Sequence, residues 1–159
     1  MSENRAEARI SLANIEHNYR LLCRKAGEKR IVMAVVKADA YGHGAVEVCR
    51  RLSDAGATHF AVACMEEAAL LRRSGIRGEL LVLGITPQEL YPSIAEYDVV
   101  QTVSSLAYAS QLADCGPVRV HIKIDTGMSR LGLYCHTLED VARTAEDVAR
   151  IAALPGLKV

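Results

Sequence analysis

Apolar residues fall in short blocks separated by longer amphipathic stretches. Five blocks of strand length stand at Ile31–Val36, His59–Ala63, Leu80–Leu83, Asp98–Thr102 and Val118–Ile124. A sixth begins at Leu157-Lys158-Val159. The stretches between them are too long for hairpins and suit crossover helices, so parallel pairing is expected. Ile31–Val36 is apolar throughout, which predicts a strand buried on both faces.

The intervening stretches carry helical signals. Ile15, Tyr19, Leu22 and Ala26 outline a first helix that ends at Gly27. Ala45–Ala55, Met65–Arg73 (ending near Gly75) and Ser105–Asp114 supply three more. Thr86-Pro87-Gln88-Glu89 reads as a cap, a proline at the first helical position and a capping-box glutamate. Pro92 predicts that this helix is short or kinked. In Leu138–Ala152 the residues Leu138, Val141, Ala142, Ala145, Val148, Ala149 and Ala152 form a stripe of helical period. Thr137 is placed to cap that helix, and Glu139–Arg143 and Glu146–Arg150 are spaced for ion pairs.

Strand and helix alternate through five β-α units, which allows an open doubly wound sheet or a (β/α)8 barrel. No Gly-x-Gly-x-x-Gly follows a strand and no phosphate-loop lysine motif occurs. A full barrel takes about 250 residues, and this chain has 159. The expectation is therefore α/β: a partial barrel, as the N-terminal part of a longer protein.

Composition narrows the function. Lys plus Arg and Asp plus Glu number 19 each, a net charge of zero, without the basic excess of a nucleic-acid binder. No apolar run approaches ~18 residues, so no membrane span is expected. Met1-Ser2-Glu3-Asn4-Arg5 has no apolar stretch behind it that would make a secretory signal. Cys23, Cys49, Cys64, Cys115 and Cys135 are odd in number and widely spaced. They read as reduced, packed cysteines of a cytoplasmic protein rather than a disulfide framework or metal site.

The most informative segment runs Val36-Lys37-Ala38-Asp39-Ala40-Tyr41-Gly42-His43-Gly44. A lysine at the C-terminal end of a barrel strand stands where such folds place their chemistry. Burial disfavours a charged amine, and a neutral one can form a Schiff base with a carbonyl. The bland alternative is a lysine that snorkels to solvent. Asp39 reads as a residue that orients the loop. Downstream, His121-Ile122-Lys123-Ile124-Asp125-Thr126-Gly127-Met128-Ser129-Arg130-Leu131-Gly132 alternates and then turns, as a strand with one wet face also would.

Together these two segments closely resemble the lysine motif and the later barrel-strand motif of bacterial alanine racemases. Arg9-Ile10-Ser11-Leu12 and Leu80-Leu81-Val82-Leu83-Gly84 fit the same family. The resemblance implies a fold-type III barrel that binds pyridoxal 5′-phosphate, with residues 1–159 as its N-terminal part. The rest of the barrel and the C-terminal β-domain would lie outside the chain. It implies that Lys37 is the Schiff-base lysine and the base on one face of the substrate carbon. Tyr41 would bond the cofactor phosphate and Leu83 would line the pocket. Arg130 would reach the cofactor's phenolic oxygen and the substrate carboxylate. Lys123 matches a lysine that is carbamylated in some members. The second base would be a tyrosine from the partner subunit of a homodimer.

The activity implied is interconversion of L- and D-alanine for peptidoglycan, in the cytoplasm, with no metal, nucleic acid or membrane. The alternatives are a racemase of serine or another small amino acid, and a non-catalytic PLP-binding protein of cofactor homeostasis. A third is an inactive piece whose open sheet edges drive association. The chain alone is expected not to racemise.

Overall fold

A computed structural model describes residues 7–159; the reading of Met1–Arg5 lies outside them. The chain alternates helix and strand: α1 (Leu12–Ala26), β1 (Ala34–Val35), α2 (Lys37–Gly42), α3 (Ala45–Asp54), β2 (His59–Val62) and α4 (Met65–Arg73). It continues with β3 (Glu79–Val82), α5 (Tyr91–Glu96), β4 (Val100–Val103), α6 (Leu106–Ala113) and β5 (Val118–Ile122). Last come the short pair β6 (Ile124–Asp125) and β7 (Leu133–Tyr134), then α7 (Asp140–Ala152) and β8 (Leu157–Lys158). Six strands form one parallel sheet in the order β1-β2-β3-β4-β5-β8. Each strand pairs with its neighbour in sequence, apart from the interposed β6–β7 pair.

Side-chain parity decides between the two architectures left open. Phe60, Val62, Leu80, Val82, Val103 and Val120 face one way and share a core with Val48, Leu52, Leu71, Ile94, Leu112 and Ile151 of the helices. The opposite parity, Ala61, Leu81 and Val100 with Met33 and Leu83, forms a small cluster of strand residues alone. Helices thus cover one face of the sheet only. That is the layout of a (β/α)8 barrel wall, whereas a doubly wound sheet carries helices on both faces. Burying Phe60, Leu71, Leu80, Ile94, Leu112 and Ile151 contributes roughly 1.5–3 kcal/mol each before chain entropy is counted.

Several local expectations need correction. The apolar block Ile31–Val36 is not buried on both faces: Ile31 is 71% and Val35 43% exposed, and only Ala34 and Val35 pair. Among the described residues β1 pairs with β2 alone, and on its side away from the helices Met33 packs against the small strand cluster. Thr86 caps nothing. It is buried, its hydroxyl donates to Gln101 Oε1 at 2.6 Å, and its N–H donates to the Tyr108 hydroxyl at 2.9 Å. Pro87 precedes a single 3-10 turn (Gln88–Leu90), and Pro92 lies in the first turn of the six-residue α5, which is short as expected.

The last helix starts at Asp140, so Leu138 falls outside it and is 92% exposed. Its capping runs backwards: the Asp140 carboxylate accepts from the N–H groups of His136 and Thr137 and from the Thr137 hydroxyl. Thr144 and Ile151 face the core, while Val141 is half exposed. Arg143 and Arg150 pair with Asp140 and Asp147, three residues away, rather than with Glu139 and Glu146. All five cysteines are free. Cys49 packs in the core, and burial pushes its thiol up to about 12. Cys115 is exposed and does not pack as expected.

Candidate active site

The parallel register lines up the strand ends. Val35 pairs Ala61, Val62 pairs Val82, Val82 pairs Gln101 and Thr102 pairs His121. Continued past the last paired residues, it gives the row Lys37–Ala63–Leu83–Thr102–His121 at the C-terminal end of the sheet. Met33, Ala61, Leu81 and Val100 show that this parity is the helix-free face. Lys37 and Leu83 are half-buried on this row, and Lys123 stands one step further along β5. In a barrel this end carries the chemistry. Thr102 is also buried here, and its Oγ1 has no hydrogen-bond partner among the described residues.

Lys37 enters an unusual turn. Ala38, Asp39, Ala40 and Tyr41 all lie in the left-handed helical region, with φ between 51° and 57°. For L-residues other than glycine this costs roughly 1–2 kcal/mol each, about 4–8 kcal/mol for the four. Opposing bonds hold the turn in place. Val36 O accepts from Ala40 N at 2.8 Å, Ala40 O from His43 N at 3.1 Å and Asp39 O from Gly44 N at 3.0 Å. The Asp39 carboxylate accepts from Ala45 N at 2.6 Å, tying the turn to the start of α3, so Asp39 orients the loop. The His43 imidazole donates from Nδ1 to Ala40 O at 2.8 Å. At the entry, Ala38 N–H donates to Glu67 Oε1 at 2.7 Å, and Ala63 N–H donates to Glu67 Oε2, also at 2.7 Å. Tyr41 leaves the turn exposed and lines a groove with Ile15, Val48 and Leu52 beside α1 and α3.

The second motif builds a closed loop. β6 and β7 pair through Ile124–Leu133 and Asp125–Tyr134, bringing the ends of residues 126–132 together. The buried Asp125 carboxylate accepts from Ser129 N at 3.0 Å and Gly127 N at 3.2 Å, and lies 3.3 Å from His136 Nε2. These contacts, the Ser129 N–H first, hold its pKa down to about 2 against the opposing effect of burial. Gly132 has φ +128, and a Cβ there would stand 2.8 Å from Asp125 N and 3.0 Å from Lys123 O. Glycine is therefore required where the loop closes. Arg130 and Met128 are exposed on the loop. Arg130 shares a groove with Asp125, Gly132 and His136, distinct from the groove of Tyr41.

Of the five residues singled out from the sequence, Lys37 and Leu83 share the strand-end row and Lys123 follows the end of β5, whereas Tyr41 lies in the groove beside α1 and α3 and Arg130 in the loop groove. Among the described residues Lys37, Tyr41, Lys123 and Arg130 have neither an ion pair nor a side-chain hydrogen bond. The motifs did not reveal Glu67, Thr102 or the work of Asp125, Gly132 and His136. Glu67 had one available signal: it is the third residue of α4, the capping-box position, but a cysteine stands where the capping serine or threonine would.

Parallel strands with helices on one face define part of a (β/α)8 barrel wall. The sequence carries this further. Residues 10–159 match the family model described as alanine racemase, N-terminal domain, and the chain belongs to that family. It is 38% identical over 157 residues to the alanine racemase of Clostridium novyi, covering 96% of this chain and 39% of that protein. It is 39% identical over 150 residues to alanine racemase 1 of Bacillus subtilis, covering 92% and 36%. Among solved structures, the alanine racemase of Corynebacterium glutamicum superposes with a TM-score of 0.81 at 36% identity, covering 94% of this chain and 42% of that one. The chain thus spans about two fifths of the length of these relatives.

Proposed function

We propose that residues 1–159 form the N-terminal part of an alanine racemase barrel, which with its remaining segments interconverts L- and D-alanine. The observation that carries this reading is Lys37: an amine without a partner, at a barrel strand end, set on a strained turn that many bonds hold. Strain of this kind persists where the surroundings over-determine it, and it concentrates at functional sites. The relatives named above are alanine racemases.

The residues at this end fit pyridoxal 5′-phosphate. Lys37 offers the amine, Leu83 an apolar wall, Tyr41 and Arg130 donors for anionic oxygens, and the Thr102 hydroxyl is buried without a partner on the same row. When bound to an amino acid, the cofactor acts as an electron sink that makes the α-proton removable. Lys37 Nζ would hold the cofactor and would move a proton on one face of the α-carbon. Arg130 presents a fork of donors suited to a carboxylate. Lys123 stands at the root of the Arg130 loop, where a carbamate would orient the arginine. Inversion needs a second acid–base group on the opposite face. Tyr91 and Tyr108 do not supply it, because their hydroxyls already bond Gln111 and Thr86 in the helical layer. In this reading the group comes from the C-terminal domain of a partner subunit, so the working enzyme is a homodimer. It serves peptidoglycan synthesis in the cytoplasm.

The test is to add pyridoxal 5′-phosphate to the chain, reduce with borohydride and map the modified peptide. An adduct on Lys37 that Lys37→Ala abolishes supports the reading. Adducts scattered over many lysines overturn it for the chain alone. Racemisation assays on a protein carrying the remaining segments then separate alanine from serine, and either from a cofactor carrier without turnover.

A further inference from the structure

We propose that Glu67 is a positioning residue for Lys37, a carboxylate supplied by the neighbouring β-α unit that fixes the backbone from which the lysine projects. The proposal rests on the reading of Lys37 as the cofactor-bearing lysine.

Glu67 occupies the third position of α4, where a glutamate ordinarily reaches back to the amide of the capping residue. Here that residue is Cys64, and the carboxylate passes it by. One oxygen takes the N–H of Ala63, just past the end of β2. The other takes the N–H of Ala38, 29 residues away in sequence and directly after Lys37. Neither amide has a backbone acceptor among the described residues. Both bonds are 2.7 Å, the short range of charge-assisted hydrogen bonds.

The consequence falls on Lys37. Before it, the Val36–Lys37 peptide is held through Val36 O, which accepts from Ala40 N–H at 2.8 Å. After it, Ala38 N–H is bonded to Glu67. The lysine Cα is therefore bracketed by two fixed peptide groups, one closed within the turn by Ala40 and the other anchored to α4 by Glu67. Ala63, held by the same carboxylate, is the residue opposite Lys37 in the strand-end row. Glu67 thus sets both the entry into the left-handed turn and the spacing of the β1 and β2 ends. No glutamine can do this. Its oxygen accepts from one amide, and its NH2 then faces the other, donor against donor.

The experiment compares the wild-type chain with Glu67→Gln, Glu67→Asp and Glu66→Gln. Glu66→Gln makes the same charge change one residue away. Amide hydrogen exchange at Ala38 and Ala63 is measured without any cofactor. Pyridoxal 5′-phosphate is then fixed to lysine by borohydride and the share on Lys37 is mapped. Thermal midpoints report whether each variant is folded. Protection at Ala38 and Ala63 in the wild type is expected to fall at least tenfold in Glu67→Gln and in Glu67→Asp, whose shorter arm cannot span both amides. The Lys37 share of adduct is expected to fall at least tenfold in the same variants while the folded midpoint survives, with Glu66→Gln unchanged in both. Unchanged exchange in a folded Glu67→Gln overturns the clamp. Changed exchange with an unchanged Lys37 adduct overturns the positioning role. A wild-type chain with protected Ala38 but no selective adduct overturns the lysine reading underneath, and the positioning role with it.

Discussion

The two ends of the sheet treat charge in opposite ways. At the N-terminal end two arginines tie the sheet margin together, while Arg77 beside them has no side-chain partner among the described residues. Arg72 of α4 donates to the carbonyls of Tyr97, Ile76, Gly78 and Asp98 at 2.8–3.1 Å, binding together the approaches to β3 and β4. Burial pushes its pKa below the ordinary guanidinium value. Arg119 pairs with Glu79 at 3.0 Å and Asp98 at 2.9 Å. At the C-terminal end Lys37, Lys123 and Arg130 carry charge with no side-chain partner. Carboxylates are present there, but Glu67, Asp39 and Asp125 are turned onto backbone N–H groups instead. One end uses side chains to bond carbonyls and close the structure. The other uses carboxylates to shape backbone and keeps its basic groups available.

That contrast is most sharply tested by Lys37→Ala. The borohydride-fixed adduct is expected to disappear, while stability changes by no more than about 0.5 kcal/mol, because no bond of the fold is lost. Calorimetry beside peptide mapping checks both halves, and a large loss of stability would break the contrast. Arg72→Met should do the reverse. Removing a guanidinium shared by four carbonyls is expected to cost about 3 kcal/mol, read as a midpoint lower by roughly 6–12 °C. The Lys37 share of adduct in the folded fraction should not move.

Gly132→Ala comes next. The added Cβ meets backbone on two sides at a positive φ, which predicts a loss of about 1–3 kcal/mol. The same substitution should raise amide exchange in residues 126–132, and unchanged exchange there would show that the loop does not depend on this closure. The smallest effect concerns pH. The Asp125 carboxyl titrates near 2 in the folded chain, below its ordinary 3.8, so its deprotonated form favours folding. Its contribution is complete above about pH 4 and is lost as pH falls through 2. The difference in thermal midpoint between wild type and Asp125→Asn should therefore be largest near pH 5–7 and vanish toward pH 2. A difference that grows on acidification would reverse the assignment.

Much of the scaffold was legible because strand blocks and helical periods are local. Lys37 could be placed at a strand end from the apolar block before it, whereas Leu83, Lys123 and Arg130 were singled out by the family resemblance, and Arg130 lies in the loop between β6 and β7. What escaped depended on contacts distant in sequence or on alternatives to a local pattern. Thr86 satisfied a capping pattern, yet the fold put Gln101 and Tyr108 within reach of it and buried it. Thr137 lost its capping role to Asp140, whose carboxylate serves three donors at once. Ile31–Val36 reads as a central strand, but strand burial depends on neighbours that no local window contains. Glu67 was invisible because its value lies in an amide 29 residues upstream. The four left-handed residues were equally hidden: only Asp39 among them is of a type that favours that region, and then singly rather than in a run.

The handedness of that turn also decides which neighbour ends up inside. Successive side chains advance about 100° around a helix axis, and reversing the hand reverses the direction of travel. Lys37 and Tyr41, four apart, stay on adjoining lines either way. Ala38 and Ala40 trade sides. In the turn as built, Ala40 is 6% exposed and Ala38 faces solvent. A right-handed copy of the same nine letters would bury Ala38 and expose Ala40. It would thus be a stereochemical anagram of the motif, spelled identically and unable to fit the same socket. Transplanting the lysine into another scaffold therefore means transplanting a mirror sense along with the letters.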